Sequence, residues 1–238
     1  MNPRDMRTWK KARKATCLLG AVACLLGAGR VAAQEAGGKS SEAVEVRLLA
    51  VELLDGGETL VLRSGEVTTE AVEVPTHGLS DPLRVPARRL AIATPGDVET
   101  PGRGLGEATL PDNGRRFLLL LIPSKERYLC RVVALDDPAF RPGHVCFLNV
   151  SAVPVGGRLG SGEFVAQPGK PQLVAPPRRQ DLPYYQMSLF YQQGEESRAL
   201  ADTRWPHDER CRSYVFIYPN PRSGRLTYRA VDEELAVE

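Results

Sequence analysis

The sequence is poor in the residues and motifs that build common catalytic and metal sites. It holds only three histidines, which are far apart, and each lies next to a predicted turn. Cys-x-x-Cys pairs, Gly-x-Ser-x-Gly and His-Glu-x-x-His motifs and phosphate-binding loops are all absent. A Ser-His-Asp set can be picked from any chain with this many serines and aspartates, so it carries no argument. We therefore predict a protein that is not an enzyme and has no cofactor or metal site.

Sustained helical periodicity is also absent. Short apolar runs recur every 8–14 residues instead, and clusters of Gly, Pro, Asn and Asp separate them. This spacing is typical of an all-β protein and predicts an antiparallel β-sandwich. A glycine-rich stretch, residues 95–114, is the alternative boundary between two packed sandwich halves, or else a mobile loop. No internal sequence repeat is strong enough to assert.

Two apolar runs show no alternation with polar residues. Residues 117–122 read Phe-Leu-Leu-Leu-Leu-Ile between two turn-forming segments, and residues 214–218 read Tyr-Val-Phe-Ile-Tyr. A short apolar run that is closed by turns is typical of a strand buried on both faces. We predict that these strands are the centres of two facing sheets, or neighbours in one sheet. Gly156 and Gly157 lie in another predicted strand, where they indicate a bulge or a close backbone approach.

The first 33 residues have the pattern of a secretory signal peptide. Six bases and one acid precede an apolar stretch of about 15 residues, which is shorter than the roughly 20 that span a membrane. We predict cleavage after Ala33, a flexible lead-in over residues 34–42 and a β-sandwich domain over residues 43–235. The alternative is a lipoprotein that is anchored at Cys24. We expect export in either case, to the periplasm or outside the cell.

Removal of residues 1–33 reverses the sign of the net charge. The whole chain holds 31 Lys+Arg and 29 Asp+Glu, and the first 33 residues hold seven of these bases and one of these acids. The rest has 24 bases and 28 acids, a net charge near −4. This balance lacks the basic surplus that is typical of nucleic-acid binding. We expect no nucleic-acid partner, and contact with a membrane only through the export signal.

Three cysteines, Cys130, Cys146 and Cys211, remain after the predicted signal peptide. An oxidising compartment would allow one disulfide among them and would leave one thiol free. Each cysteine also falls inside a strand-like apolar run. The alternative is therefore three small, buried, apolar side chains without a bridge.

The candidate binding residues lie in the last third of the chain, where most aromatic residues are found. Residues 204–210 bring Arg204, Trp205, His207 and Arg210 together with two acids. One interpretation is a binding loop in which Trp205 stacks on a sugar or a peptide and the charges set the specificity. The other is that Trp205 caps the core and the charged residues form a solvated turn, which is the more frequent use of a lone Trp in a sandwich.

Two further aromatic residues, Phe190 and Tyr184, fall on the polar face of a predicted strand. The odd positions from 185 to 191 are apolar, while Gln186 and Ser188 face the other way together with these two rings. If Trp205 lies beside them, the three rings form an apolar patch that suits a partner.

Between residues 116 and 228 the chain resembles a group of exported bacterial proteins whose function is not known. The resemblance rests on the leader, the two central strands, a Phe-Leu-Asn-Val strand at 147–150, Pro-Gly at 168–169, Arg-Trp-Pro at 204–206 and Gly-Arg at 224–225. It covers about half of the chain. It implies an exported all-β protein, and it brings no activity and no catalytic residues.

Together these features predict a non-enzymatic protein of the cell envelope, or a secreted one, that binds or scaffolds other proteins. The first alternative is a carbohydrate-binding module that uses the aromatic residues of the last third. The second, ranked below it, is a hydrolase with a dispersed site. The expected partners are envelope proteins or glycans, and the sequence does not fix the oligomeric state.

Overall fold

Seventeen β-strands and no helix make up the part of the chain that the structure describes. The structure is a computed structural model in which residues 43–97, 104–177 and 184–235 are described, and they belong to one unit, Ser40–Glu238. The predicted signal peptide, with Cys24, and the predicted lead-in lie outside the described residues. Since the described residues form no α-helix, none of them builds a membrane-spanning helix. The prediction of an all-β fold is confirmed.

The first nine strands pair only with one another. They form a first outer sheet in the order β3-β2-β6-β7, with β4 also paired to β2, and a first inner sheet in the order β5-β1-β8-β9. We call these two sheets the first sandwich. The strands are β1 Val44–Ala50, β2 Thr59–Ser64, β3 Val67–Thr68, β4 Val72–Glu73, β5 Leu83–Val85, β6 Arg89–Ala93, β7 Gly106–Thr109, β8 Arg116–Ser124 and β9 Arg127–Ala134.

The last eight strands form a second sandwich in the same way. Its inner sheet has the order β13-β10-β16-β17, and its outer sheet has the order β12-β11-β14-β15. The strands are β10 Val145–Asn149, β11 Val155–Leu159, β12 Gly162–Ala166, β13 Pro171–Val174, β14 Tyr184–Gln193, β15 Glu196–Pro206, β16 Cys211–Pro219 and β17 Leu226–Glu234.

The two sandwiches share one topology. The strands β1, β2, β3 and β5 to β9 correspond in order to β10 to β17, and β4 alone has no counterpart. In each sandwich the first strand runs parallel to the last strand but one, β1 to β8 and β10 to β16. Every other pair is antiparallel. The fold is therefore an internal structural repeat.

The register of the parallel pairs also repeats. Ala50 in β1 is the partner of Leu121 in β8, and Asn149 in β10 is the partner of Ile217 in β16. A proline follows two residues after each partner in β8 and β16. Further residues are identical at equivalent positions, namely Val46 and Val145, Leu49 and Leu148, and Arg116 and Arg212. The other equivalent residues of these four strands differ, which is why the repeat is hard to see in the sequence.

Four sheets stack in the order first outer, first inner, second inner, second outer, because three apolar cores separate them. The first core lies between the two sheets of the first sandwich, the middle core between the two inner sheets, and the second core within the second sandwich. Two inner sheets are therefore covered on both faces. Such sheets need strands that are apolar at every position.

The two apolar runs found in the sequence are the central strands of these inner sheets. In β8, Leu119 and Leu121 enter the first core, while Leu118 and Leu120 enter the middle core. In β16, residues 214, 216 and 218 enter the middle core, while residues 215 and 217 enter the second core. The prediction of two doubly buried strands in facing sheets is confirmed, and the alternative of neighbours in one sheet is wrong.

The boundary between the sandwiches does not lie in residues 95–114, the alternative division that the glycine content indicates. The strand β7 lies in this stretch and pairs with β6, which precedes the stretch, so the chain is still within the first sandwich at β7. The pairing changes from one sandwich to the other between β9 and β10, at residues 135–144. Leu135 and Phe140 of this connection are buried in the middle core.

A buried polar cluster fixes this connection to the second inner sheet. Arg212 Nη1 donates hydrogen bonds to the carbonyl oxygens of Leu135 and Phe140, at 2.7 and 3.4 Å. The guanidinium of Arg212 also lies 4.8 Å from the centre of the Phe140 ring. Glu233 neutralises its charge from β17. The connection is thus held both by its backbone carbonyl groups and by its buried side chains.

Candidate functional site

The second outer sheet presents an exposed face with apolar and polar residues in separate rows. We call this face the outer face. Because side chains alternate along each strand, it consists of every second residue of four paired strands, except that a register shift carries β15 from Ala199 to Asp202. These residues are Glu163 and Val165 of β12, Gly156 and Arg158 of β11, Tyr184, Gln186, Ser188 and Phe190 of β14, and Ala199, Asp202 and Arg204 of β15.

The apolar row runs across the sheet through Val165, Gly156, Phe190 and Ala199, which are cross-strand partners. Val165 is 49% exposed and Phe190 is 44% exposed. The Phe190 ring covers Gly156, since a Cβ atom added there would lie 2.4 Å from Phe190 Cε2. One side of the ring thus rests on the sheet, and exposure of the other side makes it a platform for a ligand.

Gly156 and Gly157 of β11 do not form a bulge, which is one of the two roles predicted for them. The register of β11 with β12 and β14 is unbroken at both glycines. Both glycines instead accept the close approach of a ring, Phe190 on the outer face and Phe164 on the core side. The approach is made by side chains and not by another backbone.

The polar row lies beside the apolar row, about 7 Å further along the strands. Its members Glu163, Arg158, Ser188 and Asp202 are cross-strand partners. Gln186 Nε2 and Ser188 Oγ donate hydrogen bonds to Asp202 Oδ1, at 2.6 and 3.0 Å. These two bonds, in that order, and then the charge of Arg158 hold the pKa of Asp202 below its ordinary value. The carboxylate therefore stays charged and oriented at neutral pH.

Arg204 and Tyr184 lie at the end of the outer face that is farthest from the apolar row. The guanidinium of Arg204 lies 4.9 Å from the centre of the Tyr184 ring, in cation–π contact. A shallow cavity of about 460 Å³ opens at the other end, beside Phe190, Val165, Arg158 and Glu163. The predicted binding residues Phe190, Tyr184 and Arg204 are thus brought onto one surface.

Trp205 does not lie on this surface, and its interpretation as a stacking platform is corrected. It is 7% exposed and packs in the second core. The physical reason is strand parity: residues 204–206 belong to β15, where Trp205 is the partner of the buried Tyr185 while Arg204 faces outward. The predicted apolar patch of three rings is therefore not formed, since Trp205 is buried, and the polar residues Gln186 and Ser188 lie between Tyr184 and Phe190 on β14.

The remaining two predicted binding residues lie in the turn between β15 and β16. His207 packs edge-on against the Tyr185 ring, 4.9 Å between centres, and its Nε2 lies 3.6 Å from Glu209 Oε1. Arg210 donates two side-chain hydrogen bonds to Asp208, at 3.1 and 2.8 Å. Arg210 thus contacts its own turn, and His207 contacts the turn and the buried Tyr185 of β14, so neither residue joins the outer face.

His207 and Asp208 also line a small cavity with Cys211, which are the residue types of a cysteine hydrolase. The electrostatic environment of Cys211 disfavours such chemistry. Burial raises the pKa of the Cys211 thiol, and the charges of Asp208, Asp232 and Glu234 raise it further. A catalytic cysteine needs the opposite shift, because the thiolate is the nucleophile.

The three cysteines of the described chain are free thiols. Cys130 packs against the first core and Cys146 lies in the middle core, on different sides of the first inner sheet. Cys146 is the partner of Tyr214, so Cys211 lies three residues, or about 10 Å, further along β16. A disulfide needs Cα atoms within about 7 Å. The structure therefore corresponds to the unbridged alternative.

Metal ligands are not clustered either in the part of the chain that the structure describes. Within residues 43–97, 104–177 and 184–235, no group of three His, Cys, Asp or Glu side chains is placed to hold a metal ion.

Sequence reasoning missed the polar row. Its members come from four strands, and only the pairing register brings Arg158 and Glu163 next to Ser188 and Asp202. The Gly156-Gly157 pair was the one signal in the sequence, since two adjacent glycines in a strand mark a close approach.

No family model matches this chain, and no curated protein matches it either.

Proposed function

We propose that this chain is an exported, non-enzymatic binding protein that holds an envelope component on its outer face. The observation that carries this proposal is the Phe190 ring, which is exposed although a buried position is available on the other face of the same strand. An exposed aromatic ring beside a shallow cavity, as Phe190 is, is typical of binding sites. The pattern of residues 1–33 supports export.

The architecture supports a binding role for a second reason. The two inner sheets are buried on both faces, so the second outer sheet stands on a rigid body and not on a loop. A site that is built on strands keeps its geometry before the ligand arrives, which lowers the entropic cost of binding. Two partner classes agree with this role, an envelope protein that is scaffolded and an envelope glycan.

The test compares two exposed apolar residues from equivalent sheets. The tagged protein, expressed with its leader, is recovered from an envelope fraction as wild type, Phe190→Ser and Val67→Ser. Val67 is 50% exposed on β3 of the first outer sheet and is the matched control. We expect Phe190→Ser to lose the bound component and Val67→Ser to retain it. Equal recovery with both variants, each shown by urea unfolding to be folded, would overturn the proposal.

Export is tested separately. We expect the protein to be found in the envelope or the medium, with Gln34 as its first residue in N-terminal sequencing. A chain that keeps residues 1–33 in the cytoplasm contradicts this part of the proposal, and lipid on Cys24 supports the alternative of a lipoprotein.

A further inference from the structure

The outer face is amphipathic, and its apolar and polar groups are only one small ring molecule apart. Its apolar row and its polar row are separated by two residues, about 7 Å, along β11, β12 and β14. On β15 they are separated by three residues because of a register shift. Phe190 and Ser188 are on β14, one in each row, and Gly156 and Arg158 repeat this arrangement on β11. A ligand that covers both rows must therefore have an apolar side and a polar edge within a similar distance.

The polar row offers both donors and acceptors to such a ligand. Glu163 and Arg158 form no hydrogen bond or ion pair with any other residue in the described ranges. Asp202 accepts its two bonds on Oδ1, which leaves Oδ2 for a further donor. Groups of this kind bond hydroxyl groups well, since a hydroxyl both donates and accepts.

The charges of the outer face cancel. Arg158 and Arg204 carry two positive charges, and Glu163 and Asp202 carry two negative ones. A strongly acidic or basic ligand gains little from such a surface, because attraction to one pair is offset by repulsion from the other. The charge pattern favours a ligand that is polar and neutral.

The size of the outer face argues against a second copy of the chain as its occupant. It extends about 20 Å along β14 and about 14 Å across the sheet, which is roughly 300 Å². A stable protein interface needs about 800 Å² from each partner. The outer face alone is therefore too small for a stable dimer and large enough for two or three sugar rings.

We propose that the outer face binds a neutral saccharide chain, with one sugar ring stacked on Phe190 and its hydroxyl groups bonded to Arg158, Glu163 and Asp202. A pyranose ring has an apolar C–H face and a rim of hydroxyls, so it matches the two rows. This inference rests on the proposed function, because it uses the same surface and names the class of ligand. The Phe190 ring supplies the apolar contact with the sugar, and the polar row sets the orientation of the sugar on the outer face.

Gly156 is a positioning residue in this site. It touches no ligand, but any larger residue pushes the Phe190 ring off the sheet, since an added Cβ would lie 2.4 Å from Cε2 and 2.6 Å from Cζ. Gly156→Ala thus moves the platform without deleting it. Gly78→Ala is the matched control, because an added Cβ there meets nothing within 4 Å.

The experiment screens the protein on an array of neutral oligosaccharides, with uronic-acid oligomers on the same array, and titrates the best ligand by calorimetry. We expect binding to neutral chains, a loss of about tenfold or more for Phe190→Ala and for Gly156→Ala, and no change for Gly78→Ala. Arg158→Gln should weaken binding as well. Urea unfolding of each variant establishes that it is folded under the conditions of the titration.

Three results would overturn the inference. These are no binding to any saccharide, binding to acidic saccharides only, and an affinity that is unchanged in folded Phe190→Ala. Failure of this kind is distinguishable from failure of the proposed function. If recovery of an envelope component still depends on Phe190 while no saccharide binds, the binding function stands and its ligand is a protein.

Discussion

Arg212 and Glu233 form an ion pair inside the protein. Arg212 Nη2 lies 2.7 Å from Glu233 Oε2, and each side chain is 7% exposed. The hydroxyl of Tyr214 donates a hydrogen bond to the same oxygen, at 2.6 Å. This cluster joins β16, β17 and the connection between the sandwiches, so its parts depend on one another.

Removal of the negative charge from this cluster should destabilise the whole protein. Glu233→Gln leaves the Arg212 charge buried without a counter-ion, and such changes cost about 3–5 kcal/mol. The exposed pair of Arg222 and Glu52 is the control, because Glu52→Gln should cost less than about 1 kcal/mol. Urea unfolding measures both. A cost for Glu233→Gln that is as small as the control would show that the cluster is not needed for stability.

The hydroxyl groups of Tyr214 and Tyr185 should make very different contributions to the free energy of unfolding. Tyr214→Phe removes a hydrogen bond to a carboxylate and should cost about 1.5–3 kcal/mol. Tyr185→Phe should cost little, because the Tyr185 hydroxyl is buried with no hydrogen-bond partner in the described chain. Both changes delete one oxygen atom, so each is the control for the other. Equal costs by urea unfolding would contradict this assignment.

The thiols should be protected in the folded state. Burial raises the pKa of Cys130 to about 11 and that of Cys146 to about 12, so both are protonated at pH 8. We expect a disulfide-exchange reagent to label Cys146 slowest in the native protein and all three thiols in urea. The labelled peptides are identified by mass spectrometry. Two cysteines that stay unlabelled in urea without reductant would show a disulfide instead.

Asp208 should titrate at low pH because of Arg210. Hydrogen bonds from Arg210 hold the pKa of Asp208 at about 2, below the ordinary value of 3.8. Since the folded pKa is depressed, this interaction favours the folded state above pH 3.8 and is lost as the pH falls towards 2.

The titration of Asp208 can be followed by NMR of its carboxyl carbon. Arg210→Gln should move the midpoint up towards 3.8, and Arg222→Gln should leave it in place. A midpoint that is the same in both variants would assign the depressed pKa to another cause.

The inner sheets were predictable from sequence because their signal is strong. Residues 117–122 are apolar at every position, and only a strand between two cores needs that pattern. The strand β7 was not predictable, since Gly106–Thr109 is short and lies in a glycine-rich stretch. The alternative division into two halves was therefore placed there, although the boundary lies after β9.

The candidate site was only partly predictable. Phe190 and Tyr184 follow from alternation within one strand, which sequence shows directly. For Trp205 the sequence left open a stacking role in a charged loop and a core role, and the core role is found, because β15 extends to Pro206 and its parity turns Trp205 inward. Arg158 and Glu163 depend on the register between strands, which composition and spacing do not determine.

The middle core can form only late in the synthesis of the chain, because it needs strands from both sandwiches. A ribosome releases β1 to β9 first, and these strands can pair among themselves and close the first core. The other face of the first inner sheet, with Leu49, Leu118 and Leu120, stays in water until β16 has been synthesised. The half-finished chain therefore carries an uncovered apolar sheet and is the species most prone to aggregate. A pause in translation after residue 135 lengthens the life of that species.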